Sequence, residues 1–190
     1  MTEAIPFPSP PLAGAGFILR PFVADDYRAA NASREHPETR EWVNGLPQPA
    51  AKEMVRFLED LRLRGRLLHL AIADPESGSF LGEVLLFVRT PEAGETGIGE
   101  IAYVVAPEAR GRGIAPQAVR LLSDWAFAEL PLERLQLSIH PNNGASRRVA
   151  EKTGYTYEGT LRSTKLIRGS RVDSMLFSRL REDARVRQPL

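Results

Sequence analysis

Arg110-Gly-Arg-Gly113 lies between a strand-like run, Tyr103 to Ala106, and an amphipathic helical pattern that opens at Ile114. A helix N-terminus presents N–H groups without intrahelical partners and a partial positive charge. Glycines let the backbone curl tightly and leave no Cβ between those groups and a ligand. Arginines add charge. Together these residue types suit a phosphate or pyrophosphate. A plain turn with two solvated arginines is the alternative, and the tetrapeptide alone leaves both open.

Two other phosphate motifs are excluded. A P-loop needs Gly-Lys-Ser/Thr after its glycines, and here Gly113 is followed by Ile114-Ala115. Gly97-Ile-Gly99-Glu-Ile-Ala102 has the letters of a dinucleotide fingerprint. That fingerprint must follow a strand and open a helix, whereas this copy follows a loop and opens a strand.

The elements around the loop read as follows. Residues 1–15 are rich in Pro, Gly and Ser and are expected to form a flexible arm. Residues 16–182 read as a single domain and 183–190 as a tail, with the charged stretch from Arg181 on expected to fray. Gly16–Phe22 reads as a strand. Helical stretches follow through Ser33, over Glu35–Asn44, and through the segment carrying Met54, Phe57, Leu58 and Leu61 at helical spacing. Two β-type runs flank the turn residues Asp74 to Gly78, and Ile98–Val105 reads as a further strand. Ala115, Ala118, Val119, Leu122 and Ala126 line one face of the helix after Gly113. A strand over Leu132–His140, a short helix ended by Gly154 and a closing hairpin complete the chain. The order implies an α+β fold with one βαβ crossover.

Bulk properties remove several function classes. A formal net charge of +1 gives no global electrostatic case for nucleic acid or an anionic membrane. There is no cysteine, so disulfides and thiolate nucleophiles are absent from the sequence. His36, His69 and His140 are scattered rather than at ligand spacing, and no metal site is expected. No apolar run approaches the ~18 residues of a membrane span, and the start lacks signal-peptide character. A soluble cytoplasmic protein, monomer or homodimer, is expected.

A second segment carries Asn143-x-x-Ser146, Glu151-Lys152-x-Gly154-Tyr155 and Glu158-Gly159. Together with Arg110-Gly-Arg-Gly113-Ile-Ala115 behind its strand, it resembles the GCN5-related N-acetyltransferase (GNAT) superfamily. The similarity is to the ribosomal-protein N-acetyltransferase branch. The element order fits from about Gly16 to Leu180, and the specific motifs span Glu100 to Arg162. The resemblance implies a mixed, mostly antiparallel sheet flanked by helices and splayed at its central cofactor-binding strands. It also implies direct acetyl transfer from acetyl-CoA to a primary amine.

The resemblance further implies the site. Backbone groups of Val104 and Val105 would pair with pantetheine. Amides from Arg110, Gly111, Arg112, Gly113, Ile114 and Ala115 would take the pyrophosphate, aided by the arginine charge. Asn143 would bind pantetheine or cap its helix. Ser146, or second to it Tyr155, would donate a proton to the leaving thiolate. Glu100 would serve as base, directly or through water. Some relatives carry an acid in the segment after Glu-Gly, but this chain has Lys165 and no acid there. A weak base favours a low-pKa amine. Near neutrality about one lysine in a thousand is unprotonated, against about one α-amine in ten. A protein N-terminus or small-molecule α-amine is therefore the expected acceptor. Its pocket is expected from Glu35–Asp60 and the hairpin near 163–173, with Trp42 as a wall. A non-catalytic acyl-CoA-binding protein of the same fold is the alternative.

Overall fold

In the computed structural model, residues 3–44, 51–89 and 96–185 are described. Eight strands form one sheet in the order β1-β2-β3-β4-β5-β6-β8-β7. They are β1 (Leu12–Gly14), β2 (Phe17–Pro21), β3 (Leu67–Ala73), β4 (Phe80–Arg89), β5 (Ile98–Val105), β6 (Arg134–Ile139), β7 (Thr156–Ile167) and β8 (Ser170–Leu180). The helices are α1 (Asp26–Glu35), α2 (Pro37–Arg40), α3 (Ala51–Leu63), α4 (Ile114–Glu129), α5 (Gly144–Lys152) and α6 (Arg181–Arg185). Every neighbouring pair is antiparallel except β5–β6, which the α4 crossover makes parallel.

The β5–β6 pair opens almost at once. Its register covers only Ile98↔Arg134, Gly99↔Leu135 and Glu100↔Gln136. Beyond Glu100, β5 stays on β4 while Leu137–Ile139 stay on β8. A wedge between the two strands results, with unpaired β5 backbone along one side.

The main core lies between the sheet and α4. Ala118, Val119, Leu122 and Ala126 are fully buried there against Leu86, Leu135 and Leu137. Burying a leucine of this kind contributes roughly 1.5–3 kcal/mol. A smaller cluster of Phe22, Ala30 and Ala71 packs the other face beneath α1 and α3. There Glu83 of β4 is fully buried, and its carboxylate takes bonds from His69 Nε2 at 2.7 Å and Arg34 Nε at 2.5 Å. Burial pushes the Glu83 carboxyl up, but the His69 bond and Arg34 charge outweigh it, and its pKa is lowered. This buried pair ties α1 to the sheet and so sets the position of α2 beside the wedge.

Two boundary expectations are corrected. The segment expected as a flexible arm is part of the packed structure from Ile5 on. Ile5 is buried, its N–H donates to the Arg62 carbonyl and its carbonyl accepts from the Arg62 guanidinium, that guanidinium stacks over Phe7, and β1 extends the sheet. An arm rich in proline still packs when it carries apolar anchors and a strand edge is free to accept it. At the other end Arg181 is not frayed: its guanidinium donates to the carbonyls of Phe127, Leu130 and Leu132, and Asp183 accepts from Leu180 N–H.

Candidate active site

The wedge forms a cleft of about 540 Å³, lined from β5, the Arg110–Pro116 loop and helix start, β6, α5, the α2 region and Lys165. Its chemistry is organised by the alternation of side chains along a strand. Ile101 and Tyr103 point to the α4–α5 side, while Glu100 and Val104 point to the α1–α2 side. Substituents of opposite function therefore meet across one gap.

Gly111 and Gly113 adopt φ of 74° and 72°, a region disfavoured for residues with a Cβ. A Cβ at Gly111 would meet nothing within 4 Å, and one at Gly113 only the Gln117 amide at 3.8 Å. Open space thus faces the turn. No side chain caps α4, and its first turn holds no acid. The first-turn amides have no intrahelical partner, and Pro116 has no N–H to satisfy. Such a turn fits a diphosphate by its exposed amides and dipole.

Arg110 is placed differently from expectation. Its guanidinium donates to Val105 O at 3.3 Å, Glu38 Oε2 at 2.7 Å and Thr39 Oγ1 at 2.5 Å. It staples the loop to α2, because the strand end and the α2 acceptors lie within reach. Arg112 remains exposed on the loop.

The backbone assignment also shifts by one residue. Ala106 N–H donates to Leu81 O, and the β4–β5 register runs unbroken. Hydrogen-bonded antiparallel pairs alternate, so the Val104 peptide groups face Glu83 of β4. Those of Tyr103 and Val105 face the open wedge, where Arg110 occupies the Val105 carbonyl. Tyr103 through both peptide groups and Val105 through its N–H, rather than Val104 and Val105, are left to pair with an extended ligand.

Asn143 caps α5, its Oδ1 accepting from Ser146 N–H at 3.0 Å. That bond aims Ser146 into the cleft, where Ser146 Oγ and Tyr103 Oη lie 2.9 Å apart. Burial pushes the Tyr103 phenol up to about 12, only partly opposed by the Ser146 bond. Tyr103 is thus protonated throughout the ordinary pH range.

Tyr155 is not brought to the site. It is buried in the core, with its hydroxyl 2.8 Å from Ser123 Oγ. Ser123 spends its own proton on Val119 O, so Tyr155 is the donor of that pair. It does not line the cleft.

On the opposite face Glu100 is bound at both oxygens, by Lys165 Nζ at 3.0 Å and Gln136 Nε2 at 3.2 Å. Trp42 lines the cleft with its ring 5.1 Å from that of His140. His140 Nδ1 accepts from Asn142 N–H, which leaves Nε2 as the protonated nitrogen of the neutral ring. Glu38, Thr39 and Val43 continue the wall. The expected pocket residues at 45–50 lie outside the described residues.

Tyr103 and His140 escaped sequence reasoning. Tyr103 had a usable signal, since its place on β5 opposes Glu100 across the strand. His140 had none, since its place depends on Trp42 from the turn after α2, far away in the chain. Among the described residues no three His, Asp or Glu form a group able to hold a metal, and no helix is long and apolar enough to cross a membrane.

Comparison with known proteins agrees with this geometry. The GNAT acetyltransferase domain matches residues 17–156. An uncharacterised N-acetyltransferase of Bacillus licheniformis is 27% identical over 150 residues, covering 77% of this chain and 83% of the relative. Mycobacterium smegmatis RimJ, solved in complex with CoA-disulfide, superposes with a TM-score of 0.78 at 25% identity, covering 90% of this chain and 84% of RimJ. A ribosomal-protein-alanine acetyltransferase of Vibrio fischeri superposes with a TM-score of 0.78 at 21% identity, covering 91% and 97% of the two chains. With most of its length matched by one family and its wedge, loop and helix cap in that arrangement, the chain belongs to the GNAT acetyltransferases and is an acetyl-CoA-dependent enzyme of that family.

Proposed function

We propose that the protein acetylates a primary α-amine, on a protein N-terminus or a small molecule. The observation that carries this reading is the uncapped glycine turn at the mouth of the β5–β6 wedge, with the Ser146–Tyr103 hydroxyl pair inside it.

Residues of this chain divide the work. Amides of Gly111 to Ala115 would hold the diphosphate, with charge from Arg112. The peptide groups of Tyr103 and the N–H of Val105 would extend the sheet onto the pantetheine arm, as an added strand does. Asn143 positions Ser146 through the helix cap. When bound, acetyl-CoA supplies an activated thioester.

A serine has one hydroxyl proton. If Ser146 directs it at the departing sulfur, Tyr103 must be the donor in the 2.9 Å contact. The pair thereby presents a fixed dipole where negative charge develops, without reorganisation during the reaction. Full proton transfer from Ser146 is not required.

Glu100 already carries two donors, so it is poorly suited to strip a proton from a lysine ammonium. An α-amine needs less help, since about a tenth is unprotonated near neutrality. Glu100 instead suits binding of the acceptor's ammonium form before a proton passes to water.

Mass spectrometry of a mixed peptide and metabolite pool, incubated with isotope-labelled acetyl-CoA, tests the reading. Label is expected on α-amines. Faster labelling of lysine side chains than of matched α-amines would overturn it.

A further inference from the structure

Lys165 and Glu100 form an ion pair at the acceptor side of the cleft, 3.0 Å apart and with side chains 40% and 29% exposed. An incoming ammonium that seeks Glu100 meets Lys165 already there. An isolated positive charge is repelled, and breaking the pair for it would leave one ion without a partner.

The neighbouring charges have the same sign. Residues 162–173 carry Arg162, Lys165, Arg168 and Arg171 against a single acid, Asp173. Arg168 is neutralised by Glu35 at 2.9 Å. Asp173 is engaged by Ser163 N–H. Arg171 reaches only Ser163 Oγ at 3.5 Å, and Arg162 forms no ion pair among the described residues. The hairpin that brings Lys165 to the cleft therefore carries an excess of cations.

We propose that the acceptor is a peptide α-amine followed within its first few residues by Asp or Glu, and that Lys165 reads that acid. This rests on the α-amine reading above. On binding, the peptide carboxylate takes Lys165 and the peptide ammonium takes Glu100. Every charge stays paired through the exchange, so neither partly exposed ion is left without a partner. A neutral peptide leaves the Lys165–Glu100 pair closed. A polyamine adds positive charge beside Lys165. A free amino acid carries its own α-carboxylate next to the ammonium and so sets like charge beside Glu100.

The test uses the full-length protein, acetyl-CoA and a thiol-release assay. Acceptors are the tetrapeptide amides Ala-Asp-Glu-Ala, Ala-Gln-Gln-Ala and Ala-Lys-Lys-Ala, with spermidine and free aspartate alongside. The acidic peptide should exceed the neutral one in kcat/KM by about fivefold, the reach of one partly exposed ion pair. It should exceed the lysine peptide by more, and the gap should shrink in high salt. Lys165→Gln should erase the acidic preference, and Lys165→Glu should reverse it. Retained CoA binding by each variant reports that it is folded; if Lys165→Glu fails there, Lys165→Gln carries the test.

Equal rates on the three peptides, preference for spermidine or free aspartate, or an acidic preference that survives Lys165→Gln would overturn the proposal while leaving the transferase reading intact. No thiol release on any acceptor would overturn both.

Discussion

Tyr103→Phe removes one oxygen and leaves the ring, so it isolates the hydrogen bond to Ser146. A neutral hydrogen bond is worth about 1 kcal/mol net, and about twice that where a charge develops beside it. At 1.36 kcal/mol per tenfold, kcat should fall about 5- to 30-fold. The KM for acetyl-CoA should move little, because Tyr103 and Val105 offer backbone groups that the substitution leaves in place. Ser146→Ala should cost more, about a hundredfold in kcat, as loss of one charge-stabilising donor does. The decisive measurement is the double-variant cycle in single-turnover acetyl transfer. Once Ser146 is alanine, Tyr103 has no hydroxyl to orient, so the second substitution should cost nearly nothing. The tyrosine, protonated up to about pH 12, contributes no ionisation to the rate profile below pH ~10. Additive losses in the cycle, or a basic limb of the pH profile that disappears in Tyr103→Phe, would refute the orientation argument.

Gly113→Glu should abolish CoA binding by calorimetry, since its carboxylate would enter the anion site. Gly113→Ala should cost only the left-handed backbone penalty of about 1–2 kcal/mol in stability. Tyr155→Phe should lower Tm by about 2–4 °C for a loss of ~1 kcal/mol, with kcat within about twofold of wild type. A large kcat loss there would return Tyr155 to the mechanism. The Arg134 bond to Glu158 outweighs burial and, aided by Ser178, lowers the Glu158 carboxyl from 4.5 to about 2. A depressed folded-state value means that its stabilisation is full above pH 4.5 and is lost as pH falls towards 2. Exposure limits it to under about 1 kcal/mol. Urea unfolding of Glu158→Gln should show a flatter stability profile across that window, and an unchanged slope would remove the pair from the account.

Much of the fold and the local geometry of the loop, the helix cap and β5 could be read without coordinates, because those parts depend on neighbours in the chain. Glycines before a helix, the i to i+3 cap from Asn143 to Ser146 and the alternation in β5 are all local properties. The splayed sheet was available from the same motifs through family resemblance. The misreadings share one cause. Whether a β5 peptide group faces β4 or the wedge depends on the register of β4, which moves the open groups from Val104 to Tyr103. An N-terminal segment looks like an arm until a free strand edge and an Arg62 carbonyl are there to receive it.

The chain's own order thus determined the glycine turn before α4, the cap of α5 and the sequence of elements, since backbone sterics and caps act over a few residues. Only the tertiary structure decided the partners. Tyr103 meets Ser146 across 43 residues, Lys165 meets Glu100 across 65, and Arg110 turns from the loop to Glu38 across 72. Tyr155 turns into the core to donate to Ser123, 32 residues away. Hydrogen bonds and ion pairs act over about 3 Å. Separations of that length are set by how the sheet and helices pack, and linear spacing contains no record of them.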